Sequence, residues 1–355
     1  MKSSFSILLH HLLALLASTV LVIFSRDAQA APMGMRVLPP TSQHTEVTLF
    51  YPSSTPATAV QRGPFAMRFA VSGAMQTQSA KRALIVISHG SGGAPWPLVD
   101  LAQALVDAGY AVAMPKHRGD NYQDQSLVGP ESWKLRPSEM SQAIDAIAQH
   151  AELSAQIDTQ RVGVYGTSAG GLTTIVLAGG QWSPARFMRH CLENMAQDFH
   201  GCVGLATYLR GDALDSVKLA MARGAHRSRF DDETVYAHHD PRIVAAAASV
   251  PMATPFDLTS MARLRTPLGI IQARQDAWLP PRFHSQRLLA ACTRCELIAD
   301  LPQAGHGSLF SPWPAELAAQ ETHLLRDPAG FDRADVHRSY AKLVAFFRQY
   351  LSAPQ

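Results

Sequence analysis

The sequence predicts an α/β fold, with a mostly parallel central sheet flanked by helices, and three observations carry that expectation. Short apolar runs of the type buried on both faces of a parallel sheet recur along the chain, among them Leu84-Ile85-Val86-Ile87, Val162-Gly163-Val164-Tyr165 and Leu268-Gly269-Ile270-Ile271. Segments between such runs carry helical periodicity instead, as in Leu98, Leu101, Ala102 and Leu105. Polar residues capable of chemistry, Ser168, Asp276 and His306, each fall just past one of the apolar runs.

The elements follow in chain order. Lys2 precedes an apolar stretch over residues 5–24 that leads into Ser25-Arg26-Asp27-Ala28-Gln29-Ala30, and Ala28-x-Ala30 fits a signal-peptidase site. Residues 1–30 therefore read as a signal peptide cleaved after Ala30, and residues 31–355 as a periplasmic or secreted domain. The rival reading keeps the stretch as an N-terminal anchor, since it is long enough to span a bilayer. No cysteine follows the apolar region, which argues against a lipoprotein. Residues 45–51 and 65–70 read as an antiparallel entry hairpin. The strand at residues 83–87 empties into Ser88-His89-Gly90-Ser91-Gly92-Gly93; the helical stripe from Leu98 stops at Gly109, and residues 110–114 form the next strand. Pro137 is expected to start a helix with Met140, Ile144, Ile147 and Ala151 on one face. The chain then returns through residues 161–165 and turns into a helical pattern over residues 172–178.

Between residues 181 and 239 this rhythm is interrupted. The region holds two cysteines, a helical run over residues 214–222, and Arg223, His226, Arg227 and Arg229 followed by Asp231, Asp232 and Glu233. Those charges read either as a solvated surface or as a site for an anionic group. Strands are expected again at residues 268–271 and 296–298, separated by a helical run at residues 286–291. A final helix places Val336, Tyr340, Leu343, Phe347 and Leu351 on one side. No internal repeat is present.

Composition fits a single catalytic domain. A chain of 355 residues, 47% hydrophobic and 17% charged, can fill a large core, and a formal charge of +3 is too near neutral to argue for nucleic acid. Four cysteines, Cys191, Cys202, Cys292 and Cys295, favour disulfides in an oxidising compartment. Three pairings are possible, and short loops favour Cys191 with Cys202 and Cys292 with Cys295. A redox role for Cys292-x-x-Cys295 is disfavoured, because the motif follows a helical run instead of opening a helix after a strand. Nothing else has metal-ligand spacing, so neither metal nor cofactor is expected.

Gly166-Thr167-Ser168-Ala169-Gly170 is the most informative stretch. It lies between an apolar run and a helical pattern, the context in which a G-x-S-x-G sequence pushes a serine out on a sharp strand-to-helix turn. A nucleophilic serine needs an acid and a histidine downstream, and Asp276 and His306 come in that order, with Gly305 and Gly307 flanking the histidine. Asp257 and Asp300 also lie near strand ends and compete with Asp276. His89, His117 and His284 read as structural, His89 holding its glycine-rich loop. Trp96 and Trp278 flank the oxyanion and acid segments and are candidates for the substrate pocket, with core packing as the alternative.

From about residue 45 to residue 351 the chain resembles α/β-hydrolases of the dienelactone hydrolase and platelet-activating-factor acetylhydrolase type, specifically the exported bacterial group described as predicted dienelactone hydrolases. The matching pieces are Leu49-Phe50-Tyr51-Pro52, Ser88-His89-Gly90, Gly109-Tyr110-Ala111-Val112, Gly166-Thr167-Ser168-Ala169-Gly170-Gly171, Asp240-Pro241-Arg242-Ile243 and Ala304-Gly305-His306. True dienelactone hydrolases use a cysteine nucleophile where this chain has Ser168, so that activity is not carried over. The resemblance implies an α/β-hydrolase fold, oxyanion-hole N–H groups at Ser91 and Ala169, and a cap formed by residues 181–239 after the nucleophile helix.

The reaction expected is cleavage of a small-molecule carboxylic ester through an acyl-enzyme intermediate, with no nucleic-acid partner and no stable membrane insertion once the leader is removed. A serine peptidase or amidase of the same fold is the second reading. Prolyl oligopeptidase relatives usually carry a large propeller before the hydrolase domain, and the roughly 50 residues between leader and Ala83 cannot form one. A binding protein on a hydrolase scaffold is the third.

Overall fold

The computed structural model describes residues 31–320 and 324–352; the expected signal peptide lies outside the described residues. The strands are β1 (Met33–Leu38), β2 (Val47–Pro52), β3 (Thr58–Arg62), β4 (Phe65–Val71), β5 (Arg82–Ser88), β6 (Ala111–Pro115), β7 (Ile157–Thr167), β8 (Ile243–Ser249), β9 (Leu268–Ala273) and β10 (Cys295–Leu301). They form one sheet in the order β10-β9-β8-β7-β5-β6-β2-β1-β4-β3. From β10 to β6 every neighbouring pair is parallel. Strands that are joined by helices must cross over, and this forces the parallel arrangement.

The entry segment differs from the expected hairpin. β2 pairs antiparallel with β1 on one side and β6 on the other, while β4 pairs antiparallel with β3 and parallel with β1, so residues 45–51 and 65–70 are not partners. Two further strands, β1 and β3, join the sheet beyond those that the patterning predicts. The real hairpin is β3–β4, closed by Gly63 and Pro64 with Arg62 opposite Phe65, and Gly63 takes the positive φ of 54° that so short a turn requires. β8 is a further strand that the patterning does not predict, because its core is Ala245 to Ala248 and alanine has little intrinsic strand preference.

Alternate residues of the central strands face two separate cores. Leu84, Val86, Val162, Val164, Ala246 and Ala248 pack on one face with helices α2 (Pro130–Gln149) and α4 (Ala169–Leu177). Ile85, Ile87, Tyr165, Ala245 and Ala247 pack on the other with α1 (Val99–Asp107) and α11 (Ala334–Leu351). The α2 boundary corrects the sequence reading: the helix begins at Pro130, and Pro137 lies inside it. Gly129 before Pro130 is the stronger start signal, because a first-turn proline lacks only an N–H that has no helical partner anyway. The remaining short helices are α3 (Ala151–Ser154), α8 (Leu258–Met261), α9 (Ser285–Ala291) and α10 (Ala315–Gln320).

Residues 181–239 form α5 (Pro184–Asn194), α6 (Phe199–Val203) and α7 (Asp215–Arg229). Trp182, Phe187, Cys191, Met195 and Phe199 join the core on the α2 face, where Trp133 meets Trp182 and Phe187 edge-on at 5.9 and 5.2 Å. Two disulfides close short loops, Cys191–Cys202 and Cys292–Cys295. Among the described residues no helix is long and apolar enough to cross a membrane.

Candidate active site

Ser168 sits between the end of β7 and the start of α4, with φ 56° and ψ −118°. A side-chain-bearing residue is strained in that region and persists only where its surroundings hold it. Here the Ser168 N–H donates to Ser249 O at 3.1 Å, and the Ser168 carbonyl accepts from the N–H groups of Gly171, Leu172 and Met252 at 2.9 to 3.2 Å. In a trans peptide the carbonyl and the following N–H point opposite ways. The three donors on Ser168 O therefore turn the Ala169 N–H to the other side, where it has no acceptor among the described residues. The flanking glycines are required by contact: a Cβ at Gly166 would lie 2.0 Å from Gly170 O, and one at Gly170 would lie 2.0 Å from Ser88 O.

Asp276 and His306 are brought together from the loops after β9 and β10. Asp276 Oδ2 is 2.8 Å from His306 Nδ1, and its Oδ1 accepts the N–H groups of Trp278 and Leu279 at 2.9 and 2.7 Å. Both side chains are buried. A carboxylate fixed by two backbone donors assigns the proton to His306 Nδ1 and leaves Nε2 as the acceptor. The competing acids are engaged elsewhere: Asp257 caps α8 and pairs with Arg186, and Asp300 pairs with Arg274 and Gln272. Ser168 Oγ has no hydrogen-bond partner among the described residues. Trp278 lies against the His306 ring, centroids 5.1 Å apart. Trp96 instead lines a depression of about 210 Å³ with Arg62, Lys116 and Tyr122, whose lining includes none of Ser168, Asp276 or His306.

The loop after β5 abuts the serine, since a Cβ at Gly90 would lie 3.5 Å from Ser168 Cβ. Its Ser91 N–H has no acceptor among the described residues, while the Ser91 hydroxyl donates to Asp120 Oδ1 at 2.8 Å. Behind the loop lies a buried polar cluster that contains both His89 and His117, with Asp120, Arg136 and Glu139 as members that the sequence reading does not include. His117 Nε2 meets the Ser88 hydroxyl and its Nδ1 meets Glu139 Oε2, both at 2.7 Å. Burial, with the nearby Arg136 charge, holds His117 well below the ordinary histidine pKa; burial, His117 and Arg136 do the same for His89. Asp120 and Arg136 form a fully buried ion pair in this cluster. One sequence signal could have found Arg136: it interrupts the buried stripe Trp133, Met140, Ala143, Ile144 and Ile147, and a charge on an apolar helix face demands a partner.

Elsewhere, Asp198 of the insertion accepts from His190 Nε2 at 2.7 Å and from His284 Nε2 at 3.2 Å, and His284 Nδ1 accepts the Ala253 N–H. His190, Asp198 and Cys202 converge as metal ligands would, but Cys202 is tied in its disulfide and offers no thiolate. His226 is buried against Cys202 O, Asp232 pairs with Lys134, and Glu233 pairs with Arg189, so the acidic run does not neutralise the neighbouring arginines.

Residues 98–188 match the prolyl oligopeptidase family, a stretch that includes the serine turn. No curated protein matches the chain. Among solved structures the chain is similar to a ferulic acid esterase from Streptomyces cinnamoneus, with a TM-score of 0.56 and 16% identity over 92% of this chain and 95% of that one. The parallel sheet order, the strand-to-helix serine turn and this likeness together make the chain an α/β-hydrolase in fold.

Proposed function

We propose that the protein is an exported serine hydrolase that cleaves carboxylic esters, of the dienelactone hydrolase and platelet-activating-factor acetylhydrolase type. The observation that carries this reading is the 2.8 Å bond from His306 Nδ1 to Asp276, beyond the C-terminal ends of the same parallel strands that present the strained Ser168. In this mechanism Ser168 Oγ attacks the ester carbonyl while His306 Nε2 takes its proton. His306 then protonates the departing alcohol, and water repeats the two steps to release the acid. Asp276 keeps the imidazole in the required tautomer and stabilises its cation. The N–H groups of Ser91 and Ala169 receive the oxyanion, where one donor is worth about 3 kcal/mol. The hydrogen bond between Ser168 Oγ and His306 Nε2 forms when substrate is bound, since catalytic hydrogen bonds commonly tighten only in the Michaelis complex. Residues 181–239 act as the cap that selects the substrate, with Trp278 beside the reacting histidine. Two disulfides support an oxidising compartment.

A second reading, peptide or amide cleavage, is favoured by the match to the prolyl oligopeptidase family. Hydrolysis of p-nitrophenyl esters from acetate to palmitate, beside p-nitroanilides, separates the two. Ester turnover is expected, lost in Ser168→Ala and lowered about 1,000- to 10,000-fold in Asp276→Asn, which would hold the wrong tautomer. Faster turnover of anilides would select the peptidase reading. No turnover, and no labelling of Ser168 by a fluorophosphonate, would select a binding protein on this scaffold.

A further inference from the structure

Arg136 is fully buried in α2, and two of the acceptors of its guanidinium are consecutive carbonyls of the loop after β5. It donates to His89 O at 2.6 Å, to Gly90 O at 3.2 Å and to Asp120 Oδ2 at 2.8 Å, with Ser132 Oγ on its Nε at 2.9 Å. Gly90 O also accepts from His89 Nδ1 at 2.7 Å and from the Gly93 N–H at 3.1 Å. Asp120 completes the clamp from the other side, taking the Gly92 N–H at 2.7 Å, the Ser91 hydroxyl at 2.8 Å and the Ser132 hydroxyl at 2.7 Å.

The direction of these bonds matters more than their number. Because the peptide plane is rigid and trans, a carbonyl drawn toward the guanidinium sends the next N–H the opposite way. Three donors on Gly90 O thus aim the Ser91 N–H away from the cluster, on a loop that touches Ser168. We propose that the buried Asp120–Arg136 pair is a positioning device for the proposed ester cleavage: it fixes the Gly90–Ser91 peptide so that the Ser91 N–H faces the reacting carbonyl oxygen. The proposal rests on the hydrolase reading above. Lysine cannot replace Arg136 here, since a single ammonium lacks the planar fork that spans two carbonyls and a carboxylate.

The test compares wild type, Arg136→Lys, Asp120→Asn and Ser132→Ala in p-nitrophenyl acetate hydrolysis and in binding of an aryl boronic acid as a tetrahedral analogue, with melting curves to establish folding. A donor that is present but misdirected costs transition-state stabilisation and spares ground-state binding. Arg136→Lys is expected to lower kcat about 100-fold and boronate affinity in step, with KM within about twofold of wild type. Ser132→Ala, which removes one bond to each partner, is expected to lower kcat roughly fivefold. Folded variants with unchanged kcat, or with a raised KM alone, overturn the proposal. If Arg136→Lys and Asp120→Asn do not fold, an unchanged kcat in Ser132→Ala overturns it. Wild-type turnover with Ser168 labelling keeps failure of this proposal separate from failure of the hydrolase reading; a wild type with neither refutes both.

Discussion

Replacing Gly170 by alanine tests how tightly the nucleophile helix and the oxyanion loop are built against each other. The added Cβ would lie 2.0 Å from Ser88 O, 2.7 Å from Ser88 C and 2.8 Å from His89 O. Carbon and carbonyl oxygen approach no closer than about 3.3 Å, so the backbone of residues 88–89 or the first turn of α4 must move by more than about 1 Å. These atoms are main chain of a buried strand end, and no side-chain rotation relieves the clash. Overpacking of this kind costs about 1–3 kcal/mol of stability. The functional cost is of similar size, since a displacement of about 1 Å at reacting groups lowers turnover about 100-fold, or about 2.7 kcal/mol. The same substitution at Gly224 is the control: it lies in exposed α7 with nothing within 4 Å of its Cβ position. Gly224→Ala should raise stability by about 0.5–1 kcal/mol. Denaturant midpoints and p-nitrophenyl acetate kinetics measure both quantities. A Gly170→Ala protein that folds and keeps kcat within about threefold of wild type would refute the reasoning.

Removing a disulfide should cost more for the longer loop. With sequence separations of 11 and 3, loop entropy predicts about 3 kcal/mol for Cys191–Cys202 and about 2 kcal/mol for Cys292–Cys295, checked by denaturant melts of the paired serine variants; equal costs would count against this account. Acid should destabilise the fold in two stages. His89 and His117 are held neutral mainly by burial, so stability is lost as pH falls below about 6.5, where unfolded histidines take up protons. Asp120 lies at about 2, burial being outweighed by the Arg136 charge and by bonds from Ser132, Gly92 and Ser91. Its contribution, about 2 kcal/mol, is complete above the unfolded value near 4 and lost as pH falls from about 4 to about 2. A denaturant midpoint that stays flat from pH 7 to pH 3 would contradict both stages.

Much of the site was legible because its residues obey local rules. Ser168 is announced by glycines whose absent side chains make room for a neighbouring turn and strand end, and by the change from strand-like to helical patterning around it. Asp276 and His306 follow apolar strands at β9 and β10. The entry region was less legible: β3 is exposed along most of its length and has no apolar face to mark it, and β2 pairs with β1 and β6 instead of β4. Sheet partners are set by which surfaces meet, and no local signal records them. Pro137 misled for a related reason, since a proline inside a helix and one at its start read alike until the packing of α2 is known.

The order of apolar runs and helical stripes, the nucleophile turn and the short cysteine loops are properties of neighbours in the chain, and local sterics and hydrophobic periodicity are enough to define them. The choice of Asp276 over Asp257 and Asp300 is not local. It depends on which carboxylate reaches His306 and which ones arginines capture first. The same holds for Arg136, lying 46 residues beyond Gly90 in the chain yet directing its carbonyl. A buried charge can be tolerated only where folding has gathered enough partners around it, and those partners come from the loop after β5, the loop after β6, and α2.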